Sequence, residues 1–197
     1  MFAVGHLAFG YMIGKASSRI SNLKVSIPLI FTFSVLPDID LLIPYLVHRG
    51  PTHSIIVMIL ISLPFLVTYG KTVIPYLLAT AQHSLIGDFL TGGTQLFWPI
   101  NQGWYGLPIS VLSQVNITME WVFLLVSLTL MLKAGDFHEL LKPHPLNLAL
   151  ILPTFAICSQ MLTGLPIKIP IELFVPHFIY LFVFALAILK DIKYVYP

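Results

Sequence analysis

Ionisable side chains stand where an apolar chain has little use for them. His6, Pro37-Asp38-Ile39-Asp40, His48-Arg49-Gly50-Pro51-Thr52-His53, and His83 with Asp88 all fall within the first 88 residues, among mostly apolar neighbours. A carboxylate at the centre of a membrane helix costs roughly 2.5–3.5 kcal/mol on insertion scales, so something must offset it. A divalent metal held by several of these groups would do so, since imidazole and carboxylate are its natural ligands.

Each group also has a plainer reading. Asp38 and Asp40 lie two apart, which in a regular helix sends them to nearly opposite faces. Both reach one site only if Pro37 breaks the helix; otherwise they serve different partners, or one caps a short following helix. In the next segment Gly50-Pro51 makes a turn and Thr52 can cap the helix after it. His53 would then sit in a first turn, where the helix dipole favours the neutral imidazole that a metal requires. Arg49 could hold a phosphate or anchor to lipid headgroups. His83 and Asp88 are five apart, about 140° around an α-helix, so they share a face only if Gly87 allows a bulge. Gln82 reads as support for the site or as packing. Glu120 reads as a carboxylate at a helix start, favoured there by the dipole, or as part of the site. His138, His144 and His177 stand apart from the cluster, the first two in a polar loop with Asp136, Glu139 and Lys142. No phosphate loop, cysteine pair, nucleophilic serine motif or dinucleotide fingerprint is present.

The elements that must position these residues are membrane elements. Of 197 residues, 57% are hydrophobic and 9% charged, and the mean hydropathy is +0.92. A soluble domain averages about 25% charged residues. The net charge of +2 gives no argument for nucleic acid. The lone cysteine, Cys158, lies in an apolar segment and reads as a small core residue. We expect one all-α membrane domain over residues 1–197, a polytopic helical bundle of about six to seven segments, with residues 1–100 carrying the site and 101–197 supporting it. Spans of about 20 apolar residues are expected at 25–46, 119–133, 146–164 and 171–189, with weaker ones at 54–70 and 73–90. Residues 2–14 are short for a span and read as a partial or interfacial helix. The opening Met-Phe-Ala-Val-Gly-His has no basic leader and reads as part of that helix. Residues 91–118, with Trp98, Trp104, Tyr105 and no charge, read as an aromatic loop or re-entrant segment at the interface.

Basic residues set orientation. With Lys15, Arg19 and Lys24 cytoplasmic, alternation puts Lys71, Lys133, Lys142, Lys190 and Lys193 on the same side. Only Arg49 and Lys168 fall outside, eight against two. The C-terminus is then cytoplasmic, and every candidate ligand lands on the extracytoplasmic side of the cell membrane.

The order His6, Pro37-Asp38-Ile39-Asp40, His48-Arg49-Gly50-Pro51-Thr52-His53, His83, Asp88 and Leu96-Phe97-Trp98-Pro99 resembles the YdjM-like family of membrane-bound metal-dependent hydrolases, over about residues 1–100. More distantly it looks like zinc-dependent phospholipase C and the helical single-strand nucleases, which hydrolyse phosphodiesters with clustered zinc. The family more often spaces its last His and Asp four apart. The resemblance implies His6, Asp38, His53, His83 and Asp88 as ligands of a divalent metal, with zinc foremost, and Asp40 and His48 as further choices. The expected function is hydrolysis of a phosphoester or phospholipid at headgroup depth, with Asp38 or Asp40 taking a proton from water and Arg49 holding the phosphate. Two other classes stay open. Intramembrane Asp and His also build proton relays in ion-coupled transporters, and helices kinked by Pro and Gly suit them, although no inverted repeat is visible. The third is a scaffold with a structural metal site, which a closed shell of four ligands would mark, as an open position would mark catalysis.

Overall fold

A computed structural model describes residues 1–195, with side chains through residue 192. Lys193, counted above with the cytoplasmic lysines, has its side chain outside the described residues. The chain is helical, with no strand among the described residues beyond two isolated bridges, Thr91–Pro108 and Thr94–Tyr105. The helices are α1 (Ala3–Ile20), α2 (Ile27–Ser34), α3 (Ile55–Tyr69), α4 (Ile74–Gln82), α5 (Gln114–Ala134), α6 (Asp136–Leu140), α7 (Ile151–Cys158) and α8 (Phe174–Val195).

Four helical stretches are long and apolar enough to cross a membrane: Ile55–Asp88, Gln114–Ala134, Pro145–Thr163 and Ile171–Ile192. This is fewer than the six or seven expected. The stretch at 25–46 fails because α2 stops at Ser34 and Pro37 opens a 3-10 turn over Leu36–Leu42. Proline offers no backbone N–H to continue an α-helix. Eight α-helical residues rise only about 12 Å. The segments 54–70 and 73–90 form one helical run of 34 residues. It folds back at Gly70, whose φ of 59° and ψ of −144° lie outside the helical range. The hairpin brings His53, just before α3, beside His83, just after α4, with ring centroids 5.0 Å apart.

α1 is not interfacial. It runs 18 residues through the middle of the bundle, burying Ala3, Gly5, Ala8, Gly10 and Gly14 among its neighbours. Such small residues let helix backbones approach closely. Beside it Tyr11 stacks on Phe31, which meets Tyr180 and Phe184 at centroid distances of 5.6 and 5.1 Å. Residues 91–113 are irregular; the linker expected over 91–118 is shorter because α5 begins at Gln114.

The two ends differ in charge. At one end Lys15 and Tyr11 both bond the buried Asp136, at 2.7 and 2.8 Å, tying α1 to the turn after α5. Lys24 lies near Tyr69 and Thr72, at the α3–α4 turn. His6, Asp38, Asp40 and Asp88 sit at the other end.

Candidate metal centre

The centre is built from three turns, each at the end of a helix. The 3-10 turn after α2 supplies Asp38 and Asp40, a 3-10 turn over Pro51–His53 supplies His53, and a π-helical turn over His83–Asp88 continues α4. The π-turn resolves the spacing of His83 and Asp88. Its i→i+5 hydrogen bonding makes residues five apart neighbours, and His83 Nε2 lies 3.4 Å from Asp88 Oδ2.

Four buried atoms converge. His53 Nε2 is 3.5 Å from Asp38 Oδ1 and 3.3 Å from Asp88 Oδ2. His83 Nε2 is 3.3 Å from Asp38 Oδ1. Yet His53 Nε2, His83 Nε2 and Asp88 Oδ2 have no hydrogen-bond partner among the described residues. The distances suit hydrogen bonds but the directions do not, so the nitrogens aim between the oxygens. Unpartnered buried polar atoms are rare in folded proteins and call for a cause.

The other ring nitrogens supply that cause. His83 Nδ1 lies 2.8 Å from the carbonyl of Ser34, an acceptor, so Nδ1 carries the proton. Thr52 donates its one hydroxyl proton to Asp40 Oδ2 at 3.1 Å, so it can only accept from His53 Nδ1, 3.0 Å away. When the rings are neutral, as a metal requires, Nε2 of each therefore presents a lone pair. Two lone pairs and two carboxylate oxygens face one another, a set that a cation stabilises. Tetrahedral coordination at about 2.0–2.1 Å holds ligand atoms about 3.3–3.4 Å apart, and the four N–O separations between these imidazoles and carboxylates, 3.3 to 3.5 Å, lie in that range. Fixing the far nitrogen of each ring is the usual outer-shell support of a metal-binding histidine. These buried His and Asp groups could hold a metal ion.

The remaining residues surround this quartet. Asp40 stands behind His53, 3.4 Å from its Nδ1, so the two aspartates flank one imidazole from opposite sides. Its carboxylate also meets His48 Nδ1 at 3.2 Å and accepts from the Arg49 backbone N–H at 3.2 Å. Asp40 thus organises the whole 48–53 turn. His6 stacks on His83, centroids 3.5 Å apart and planes within 8°. It meets the far side of Asp88, with Nε2 3.3 Å from Oδ1. That same oxygen takes the Arg49 guanidinium at 2.8 Å and the Met1 amine at 3.0 Å. Arg49 also donates to the Thr91 carbonyl, so it is committed to the site rather than to the surface. Three trios have donor atoms within 4.8 Å of one another and could each hold a metal ion: Asp38, His53 and His83; His6, His83 and Asp88; and Asp40, His48 and His53.

A cavity of about 380 Å³ lies over these groups, lined by Asp38, His48, Arg49 and Asp88 together with Val111, Gln160 and Ile167. Its far wall comes from beyond residue 100.

Several expectations find other places. The cap of α3 is Ser54, not Thr52; its hydroxyl accepts from Ile56 and Val57 and donates to the Trp98 carbonyl at 2.6 Å. Ile55 N–H bonds the Leu96 carbonyl, so the Leu96–Pro99 segment straps the turn that carries His53. His53 precedes the N-cap of α3 and so lies outside the first turn where it was expected. Gln82 donates to the His6 carbonyl at 3.1 Å and so joins α4 to α1. Glu120 is not at a helix start, because α5 begins at Gln114. Fully buried, it accepts from the N–H groups of Phe2 and Gly5 at 2.7 and 2.6 Å and caps α1. His177 lies away from the quartet, between the Leu173 carbonyl and Gln160. Ser34 and Thr91 went unnoticed in the sequence, and Thr52 was read only as a helix cap, since a hydroxyl or a backbone carbonyl leaves no charge signal in an apolar chain.

A family model described as YdjM inner membrane protein matches residues 1–164. No curated protein and no solved structure gives a match.

Proposed function

From membership of the YdjM inner membrane protein family, to which this chain belongs, we propose that it is a membrane-embedded metal-dependent hydrolase of a phosphoester carried by an amphiphile such as a phospholipid. The observation that carries this reading is the cavity of about 380 Å³ over Asp38 and Asp88, walled by Arg49 and His48. A purely structural site has no need of such access. Zinc is the ion best suited to two imidazoles and two carboxylates at these separations. When bound it supplies an acidified water and polarises the phosphoryl oxygen.

The chain's own residues do the rest. Asp38, His53, His83 and Asp88 hold the ion. Thr52 and Ser34 fix the tautomers of the two rings. His48, held at Nδ1 by Asp40, carries a proton at Nε2 to or from the reacting oxygens, in the manner of an oriented acid–base imidazole. Arg49 has five N–H donors, of which Asp88 and Thr91 take only part, and offers the remainder to a phosphate. His6 serves Asp88, and a second ion between them would bring it into the ligand set.

A structural metal site is the second reading, favoured by one observation: Asp38, His53, His83 and Asp88 are all buried, as the donors of a closed shell would be. One experiment separates the two. The protein is purified in detergent without added metal, and bound metals are measured by elemental mass spectrometry beside the Asp38→Ala, His53→Ala double variant. Both are then offered radiolabelled phospholipids of several headgroups. Near-stoichiometric zinc lost in the variant, with wild-type hydrolysis that ceases on chelation, is the expected result. Zinc without hydrolysis, with chelation lowering the melting temperature, favours the structural site. No divalent ion in either protein, even after reconstitution, sinks both and moves the reading to proton-coupled transport.

A further inference from the structure

A second cavity, of about 610 Å³, lies between α2, α3 and α4, with Pro37, Pro51 and Thr52 of the turns beside the candidate metal centre among its walls. Its walls are almost wholly apolar: Phe33 from α2, Met58, Ile61 and Phe65 from α3, and Leu77 from α4. It exists because α3 leans away from the bundle, with only Ser62 of its 15 residues buried. In a bilayer such a cleft neither stays empty nor takes up water, since apolar walls offer water no partners. Hydrocarbon fills it.

The cleft has one charged rim. Lys24 closes it beside Tyr69 and Thr72. Lys24 also lines an adjoining open pocket of about 540 Å³ with Lys15 and Arg19. Lys15 is committed to Asp136. Arg19 and Lys24 are exposed, and no carboxylate among the described residues pairs with either. An apolar slot ending in two available cations has the shape of an acyl chain below an anionic headgroup. Juxtamembrane basic residues attract anionic lipid.

We propose that this cleft is a binding site for an anionic phospholipid, with an acyl chain between α2, α3 and α4 and the headgroup phosphate on Arg19 and Lys24. It is a different cavity from the one over the candidate metal centre, although Thr52 lines it, and the proposal does not depend on hydrolase activity.

The test uses the full chain in detergent, stripped of endogenous lipid and titrated with diacyl phosphatidylglycerol or diacyl phosphatidylcholine, with bound lipid read by native mass spectrometry. Wild type should bind about one phosphatidylglycerol with a preference of about ten-fold or more over phosphatidylcholine, the effect of two cations near a headgroup. The Arg19→Gln, Lys24→Gln double variant should lose the preference and keep residual binding of both lipids. Ile61→Trp, which fills the slot from a lipid-facing position, should lower occupancy by both. Retained metal content serves as the folding control. Equal affinity for the two lipids in wild type overturns the proposal. So does an unchanged preference in the double variant, or a dimer whose formation displaces lipid, which would make the cleft an interface between copies.

Discussion

Gly87 sits beneath the His6 ring. A β-carbon there would run into Cε1 and Nδ1 of that ring. His6 cannot swing aside, because it is fully buried and stacked on His83. Gly87→Ala must therefore displace either His6 or the π-turn, and with the turn Asp88. Metal affinity should fall by about 10–100-fold, the usual cost of disturbing the support of a ligand, with the protein still inserted in the membrane. Competition with a chromophoric chelator measures it; unchanged affinity would mean that His6 and Asp88 do not position the ion. At this scale the sequence was informative about charge and silent about neutral partners. His53, His83, Asp38 and Asp88 were legible because an ionisable group in apolar surroundings is costly. Thr52 and the Ser34 carbonyl fix the tautomers of two candidate ligands, yet neither residue differs in type from many others in the chain.

Between helices the critical joint is Glu120 of α5 on the first turn of α1. The N-terminal cap position of α1, Phe2, offers no side-chain acceptor. Glu120 supplies one from another helix and satisfies two N–H groups that would otherwise be buried unpaired. Glu120→Ala should destabilise the protein by roughly 2–4 kcal/mol, the cost of charge-assisted bonds together with orphaned donors. Glu120→Gln, which keeps one amide oxygen, should recover about half. Thermal unfolding in detergent reads both, and metal content should drop with stability in the first variant because His6 lies in the turn that Glu120 caps. Equal stability of the alanine variant would remove this role. The sequence suggested a helix start near Glu120; Ser113, whose hydroxyl accepts from the Asn116 N–H, starts the helix seven residues earlier. The break at Pro37 stood only as a condition for Asp38 and Asp40 to share a site, against a span expected through it at 25–46; the bulge at Gly87 likewise stood as a condition, and the π-turn meets it. The depth of α1 was not, because its alanines and glycines dilute the hydropathy that marks a buried helix.

Across the whole molecule the charges divide by end. Lys15, Arg19 and Lys24 share one pocket, and Lys15 binds Asp136 near Lys133 and Lys142. Lys24 meets the turn that contains Lys71. α8 begins beside the metal end, where Glu172 accepts from Trp121 and His177 meets Gln160, so Lys190 lies at the far end. Arg49 is at the metal centre, and Lys168 adjoins Ile167 of the cavity wall. The folded chain thus sorts its basic residues much as the alternation of spans does, although the number of spans differs. The reason is that both follow from which helix ends meet, and hairpins preserve that. Positive residues favour the cytoplasmic side, so the metal centre should open outward. Single cysteines in a Cys158→Ala background test this. Tyr45 is fully exposed at the metal end and Ile20 is 83% exposed at the basic end. Tyr45→Cys should react with an impermeant maleimide in intact spheroplasts, and Ile20→Cys only after permeabilisation. The reverse pattern would turn the centre to the cytoplasm, where its substrate would have to be a lipid of the inner leaflet or a soluble phosphoester.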